Sequence, residues 1–235
     1  MKNKLRAILQ WFSPGFRYRK ISYSQYGEDI LIRNLFIEYC NIFNPSYLDL
    51  GAHSPFHLSN SALFYKLGST GVNIEANPIL FKAFEKYRKK DINLNIGVAP
   101  SSHEALQFYI MEQPELNTFV KSQADKLAEQ GFPIKEVIKV RCLSLKDIIT
   151  SYCDNIFPDF LSIDVEGLDE EILNSYDFSL TKPKIICVEN LEMDDNNKLF
   201  KKQGIRDILK RNGYALVADT YLNDIFIDQK YISYK

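Results

Sequence analysis

The feature that most constrains this chain is a rhythm of short apolar runs, each closed by a glycine or an acidic residue and each followed by a helical pattern. Residues 47–50 form the first run, Gly51 closes it, and residues 59–67 keep helical spacing up to a stop at Gly68. Residues 72–74 make a second run, Pro78 opens a helix towards Lys89, and residues 92–98 alternate apolar and polar as a third strand. Parallel neighbours need crossover connections, so this β-α-β-α-β order predicts an α/β domain with a doubly wound, mostly parallel sheet.

Ahead of the rhythm, Ser24, Gln25, Tyr26, Gly27, Glu28 and Asp29 lead into an amphipathic helix that ends before Asn44 and Pro45. The middle of the chain predicts strands at 106–110 and 137–142 and helices at 121–130 and 145–152. Residues 160–163 and 185–188 read as buried strands that end at Asp164 and at Glu189 with Asn190. Asp169, Glu170 and Glu171 suit the start of the helix between them. A helix over 199–211, a turn at Gly213 and strands over 214–218 and 225–227 finish the pattern as a hairpin.

With 235 residues, 46% of them hydrophobic and 25% charged, one globular domain over 22–235 is expected. A net charge of -1 supplies no field to gather phosphate backbones, so nucleic acid is not an expected partner. No run reaches the roughly 20 apolar residues of a membrane span. Four cysteines without CxxC spacing fit reduced thiols in a cytoplasmic protein. Residues 1–21 stand apart as a basic amphipathic segment, with Lys2, Lys4, Arg6, Arg17, Arg19 and Lys20 beside Leu5, Ile8, Leu9, Trp11 and Phe12. Three placements stay open for residues 1–20: an anionic membrane surface, the domain itself, and the second subunit of a homodimer.

Open parallel sheets bind ligands beyond the carboxyl ends of their strands, which here carry Asp49 and Gly51, Glu75, Gly97, Asp164, and Glu189 with Asn190. Glu75 follows Gly51 by about 24 residues, the separation at which an acid can accept the hydroxyl protons of a ribose. The turn reads Gly51-Ala52-His53-Ser54-Pro55-Phe56, with His53 and Phe56 where a dinucleotide fold needs its second and third glycines. Close backbone approach to two phosphates is thereby removed, which disfavours a nicotinamide dehydrogenase and favours a nucleoside without phosphates. S-adenosylmethionine meets that description, and its sulfonium suits a carboxylate-rich crevice.

Read together, the blocks SYSQYGEDILI, YLDLGAH, GVNIEANP, LSIDVEGLDEEIL and KIICVEN resemble the FkbM family of methyltransferases over residues 22–228. The resemblance implies the class I methyltransferase fold, a Rossmann-like seven-stranded sheet whose last two strands form an antiparallel hairpin. It implies a cofactor site lined by Asp49, Gly51, Glu75, Ala76 and Asn77, with Gly97 and Val98 near the adenine and Gln25 on a covering lid; His53 and Asp164, on the same strand-end loops, are expected to join it. It also implies methyl transfer to a hydroxyl oxygen. The chain departs from the family at His53 and Pro55, where asparagine and glycine are usual.

A sugar or glycan hydroxyl is the expected acceptor, with a polyketide or other secondary metabolite as the alternative and a non-catalytic nucleoside-binding relative as a third reading. Such a hydroxyl is a poor nucleophile, so its proton must be taken or its pKa lowered. Asp164, Glu189 and Asn190 offer hard oxygen ligands for Mg²⁺ or Mn²⁺. His53 or His57 could act as general base, with Asp164 and Glu166 as further candidate catalytic residues, although His57 could equally cap a helix. Residues 111–135, and 117–131 within them, interrupt the core pattern and are the expected substrate cover.

Overall fold

The computed structural model describes residues 19–193 and 199–232, so the proposed membrane and subunit contacts of residues 1–18 lie outside the described residues. The chain enters through α1 (Glu28–Leu35) and a π-helical turn (Phe36–Cys40). It then alternates through β1 (Tyr47–Leu50), α2 (Ala62–Leu67), β2 (Gly71–Ile74), α3 (Pro78–Tyr87) and β3 (Ile92–Leu94). A middle section holds β4 (Gly97–Val98), β5 (His103–Met111), a 3₁₀ turn (Pro114–Leu116), α4 (Lys121–Glu129), β6 (Ile134–Leu143) and α5 (Leu145–Tyr152). The alternation resumes with β7 (Phe160–Ile163), α6 (Asp169–Ser175) and β8 (Ile185–Glu189). Two short strands, β9 (Glu192–Met193) and β10 (Leu199–Phe200), precede α7 (Gln203–Arg211), β11 (Tyr214–Asp219) and β12 (Asn223–Asp228).

The main sheet has seven strands in the order β11-β12-β8-β7-β1-β2-β3. From β8 to β3 every pairing is parallel, while β12 runs antiparallel to both β8 and β11. This is the doubly wound sheet with a terminal hairpin that the resemblance implied. All four residues of β1 are buried, and pleating divides them between two cores. Leu48 and Leu50 join Ile148, Ile172 and Leu209 on the side of α5, α6 and α7. Tyr47 joins Ile32, Phe36 and Phe64 on the side of α1 and α2. Each such aliphatic side chain contributes roughly 1.5–3 kcal/mol on burial. No helix among the described residues is long and apolar enough to cross a membrane.

Three expectations are corrected. The single strand over 92–98 is two strands in two sheets: β3 pairs with β2, and β4 pairs in parallel with β6 in a separate three-stranded sheet ordered β4-β6-β5. The break falls at Asn95, whose amide donates to the carbonyls of Glu75 and Ala76 at 2.8 and 3.1 Å. The helix expected from 59 starts at Ala62, because Ser59 Oγ accepts the Ala62 N–H and Ser61 Oγ is turned to Asp49. The helix expected from 199 starts at Gln203, since β10 pairs with β9 and the Lys202 N–H is drawn to Asn190 Oδ1 at 2.9 Å.

A fully buried guanidinium joins β1, β2 and the loop after β1. Arg88 Nε donates to Asp91 Oδ2 at 2.8 Å, and its terminal nitrogens donate to Tyr47 OH, Ser61 Oγ, Asn73 Oδ1 and the Pro55 carbonyl. Asp91 also accepts the Tyr47 hydroxyl, the Gly71 N–H and the Asn73 amide, so both charges are paired and hydrogen-bonded. Removing one member of such a pair leaves the other buried and uncompensated. Arg88→Ala is therefore expected to destabilise the fold by about 3–5 kcal/mol, read from urea unfolding midpoints; a change indistinguishable from an exposed substitution such as Leu180→Ala would contradict the network's role.

Candidate active site

The parallel part of the sheet reverses its order between β1 and β7, and a cavity of about 280 Å³ opens there at the carboxyl ends of the strands. Its wall gathers most of the residues expected from the sequence: Asp49, Gly51 and His53 from the end of β1, Glu75 and Ala76 from β2, Gly97 and Val98 from β4. Asp164, Glu166 and Glu189 close the opposite end, and Gln25 stands at the opening, exposed to solvent. Three expected residues do not line it. His57 is exposed, is not on the wall and caps no helix, Asn77 lies behind Glu75, and Asn190 lies behind Glu189.

Gly51 holds φ +73°, and a Cβ there would sit 1.8 Å from the carbonyl oxygen of Asp164. The turn after β1 therefore abuts the end of β7 with no side chain between them. Its N–H and that of Ala52 both donate to the Ile74 carbonyl, at 3.0 and 2.9 Å. The Glu75 carboxylate is buried and is gripped by two backbone donors, Asn77 N at 2.7 Å and His53 N at 2.8 Å. Burial, with the negative charges of Asp49 and Asp164, pushes its pKa up to about 7 against the pull of those two N–H groups. Each oxygen keeps a further lone pair for an outside donor. Asn77 in turn caps α3, its Oδ1 accepting the Ile79 N–H at 2.9 Å.

His53 adopts the left-handed conformation, φ +50°, and neither imidazole nitrogen has a hydrogen-bond partner. Burial holds its pKa below the ordinary 6.5, with the Glu115 carboxylate opposing at 3.8 Å and His57 reinforcing, so the ring is a neutral base at pH 7. Ile96, Val98, Phe108 and Phe119 form an apolar slot beside Glu75, the two phenyl rings 4.5 Å apart. Gly97 permits that slot, since a Cβ would meet Phe119 Cζ at 2.3 Å and Cys142 Sγ at 2.6 Å.

At the other end, ligand atoms of Asp164, Glu166 and Glu189 lie within 4.8 Å of one another. Burial first, then Asp169 and neighbouring charges, pushes Asp164 up to about 7, and the same causes with mutual repulsion raise Glu166 and Glu189 well above the usual carboxylate range. Asp164 Oδ1 has no partner. Asn190, expected beside Asp164 and Glu189, is not part of this cluster, and Glu166 stands there instead. The Asn190 amide is consumed by Asp224 Oδ2 at 2.6 Å and the Lys202 N–H, whereas Glu166 is turned inward at φ +52°. Asp169 fixes that loop through the N–H groups of Val165 and Gly167, and Thr118 Oγ1 donates to the Glu166 carbonyl at 2.8 Å.

Of the expected substrate cover, Pro114, Glu115, Leu116, Asn117 and Phe119 reach the cavity wall, while α4 does not. Asn117 Oδ1 accepts the Met111 N–H and Thr118 bridges Tyr109, so the cover is an extension of the second sheet. Glu28 and Asp29 fold the lead segment rather than cap α1, whose N-cap is Gly27. Asp29 accepts from Ser22, Tyr23, Ser24 and Ile30, and Glu28 from Tyr26 N, Thr220 Oγ1 and Asn223 Nδ2. Sequence reasoning missed Asn60, Ser162 and Glu115 on the cavity wall, since none follows a strand end directly.

A family model described as the methyltransferase FkbM domain matches residues 49–216. No curated protein matches the chain in sequence. Among solved structures, the methyltransferase FkbM of Methylobacillus flagellatus KT is 11% identical with a TM-score of 0.45, the match covering 78% of this chain. This chain spans 43% of the Methylobacillus protein, less than half its length. The 1,6-didemethyltoxoflavin-N1-methyltransferase of Burkholderia thailandensis, solved with 1,6-didemethyltoxoflavin and S-adenosylhomocysteine, is 11% identical over 95% of this chain and 85% of that one, with a TM-score of 0.41. A TehB-like SAM-dependent methyltransferase of Corynebacterium glutamicum is 11% identical over 97% and 98%, with a TM-score of 0.42.

The raised Glu75 has a thermodynamic consequence with a definite sign. Its folded pKa of about 7 exceeds its ordinary 4.5, so the folded state binds the extra proton and stability falls as pH rises from about 4.5 to about 7, then levels. Thermal unfolding of the ligand-free protein should show this decline, and Glu75→Gln should flatten it by the share Glu75 carries. A decline of equal depth in Glu75→Gln would assign it wholly to the other carboxylates.

Proposed function

Because the chain belongs to the FkbM methyltransferase family, we propose that it transfers a methyl group from S-adenosylmethionine to a hydroxyl oxygen of a sugar or glycan intermediate. The observation that carries this reading is a single cavity with Glu75 and the Gly51 turn at one end and three proton-avid carboxylates at the other. The nucleoside end fits the cofactor. Glu75 would accept the ribose hydroxyls and the slot of Ile96, Val98, Phe108 and Phe119 would take the adenine, while Gly51 lets the turn abut the end of β7 beside them. When bound, S-adenosylmethionine supplies an electrophilic methyl group on a positively charged sulfur.

This chain's residues then have two tasks, alignment and proton removal. Asp164 would take the acceptor's proton: its Oδ1 is unpartnered and its pKa near 7 makes it a capable acceptor at neutral pH. Burial, with the charges of Asp169 and Asp49, sustains that proton affinity, and His53 faces the same cavity as a neutral imidazole. A second reading has its own support. Three carboxylates within 4.8 Å suit a hard divalent cation, and Asp164, Glu166 and Glu189 would hold Mg²⁺ or Mn²⁺ where it lowers the pKa of the acceptor hydroxyl.

Asp164→Asn should lower kcat by about 10²–10⁴ while S-adenosylhomocysteine affinity by calorimetry stays within a few-fold; unchanged kcat would exclude Asp164. Treatment with EDTA separates the two roles of the cluster. Indifference assigns it to the proton alone, and loss restored by Mg²⁺ assigns it to the cation. His53→Ala with normal kcat would remove the imidazole from the chemistry.

A further inference from the structure

The opening of the cavity carries a feature that methyl transfer as described does not use. Gln25 and Leu222 line the wall there, and the residues beside them, Tyr26 and Tyr221, project their rings into solvent, each 54% exposed. The rings meet edge to face, centroids 6.0 Å apart and planes at 70°. Tyr221 holds φ +76°, a conformation in which a bulky side chain is strained and glycine is at ease. Three residues of the cavity wall, His53, Leu58 and Glu166, also have positive φ.

One buried carboxylate fixes both halves of this edge. Glu28 accepts the Tyr26 N–H at 2.8 Å from one side, and Thr220 Oγ1 and Asn223 Nδ2 at 2.8 and 3.0 Å from the turn that holds Tyr221. Burial alone would raise Glu28, yet these donors hold its pKa below the ordinary 4.5, so the clamp is ionised at neutral pH. Two exposed aromatic rings, Tyr26 on the lead segment and Tyr221 on a strained turn, are thus held in place by one carboxylate.

Resting on the methyltransferase reading above, we propose that Tyr26 and Tyr221 form the acceptor subsite, a shelf for one pyranose ring whose hydroxyls reach into the carboxylate end of the cavity. A pyranose offers an apolar C–H face that lies on an aromatic ring and a belt of hydroxyl donors that need acceptors. Asp164, Glu166 and Glu189 are acceptor-rich, and the Gln25 and Asn60 amides add both donors and acceptors on the same wall. A flat phenol would require a parallel slot, which two rings at 70° do not make.

The test uses the full chain saturated with S-adenosylhomocysteine and saturation-transfer NMR with methyl glycosides of a hexose, a 6-deoxyhexose, an aminosugar and a uronic acid, with catechol as the flat competitor. At least one glycoside should receive saturation on its ring C–H protons, and its affinity should fall about tenfold in Tyr26→Ala/Tyr221→Gly, with S-adenosylhomocysteine affinity unchanged. Glycine accommodates the positive φ at 221, so the substitution adds no strain to the turn. Tyr87→Ala, an exposed tyrosine off the cavity wall, should bind glycoside normally. The proposal is overturned if no glycoside binds, if the double variant binds as well as the wild type, or if catechol binds and the glycosides do not. Failure of S-adenosylhomocysteine to bind the wild type would instead overturn the methyltransferase reading.

Discussion

The site depends on a place where two strand ends touch through backbone alone. Gly51 lies against the Asp164 carbonyl so closely that a single added carbon has nowhere to go. That contact forces the loop after β1 and the loop after β7 to share one wall. The reach of the His53 N–H to Glu75 and the inward turn of Glu166 both depend on it. Arg88, through the Pro55 carbonyl, steadies the far end of the same loop from within the sheet.

The molecule treats charge in two opposed ways. Around Arg88 and Asp91, and around Asp224 with Arg206 and Lys201, buried carboxylates face cations at hydrogen-bond or ion-pair distance. In the cavity, with Glu75 at one end and Asp164, Glu166 and Glu189 at the other, burial together with neighbouring negative charge raises the proton affinity of each carboxylate. The first arrangement stabilises the scaffold, and the second costs it part of that stability, because burial and neighbouring charge disfavour the ionised carboxylates.

Much of this was legible in the sequence because a parallel sheet places chemistry at strand ends. Glu75, Asp164 and Glu189 are the polar residues that close successive apolar runs, and Gly51 is the residue a tight turn requires. The second sheet was not legible: residues 92–98 alternate as one strand, and only the Asn95 amide, bonded to carbonyls from about 20 positions earlier, breaks it in two. Arg88 drew no reading from the sequence, since burial by non-local partners leaves no trace in local periodicity. Asn190 and Glu166 exchanged places for a similar reason. The left-handed turn that aims Glu166 inward is signalled only by the glycine after it, whereas Asn190 is held by Asp224, a residue 34 positions away.

Glu28 finally bears on the order in which the molecule can be completed. Its partners Thr220 and Asn223 lie 192 and 195 positions further along, so during synthesis the lead segment waits for the last hairpin before its carboxylate is matched. The entrance of the cavity therefore takes shape only once residues 220–223 have been made, and removing that hairpin would leave the Glu28 carboxylate without these two donors.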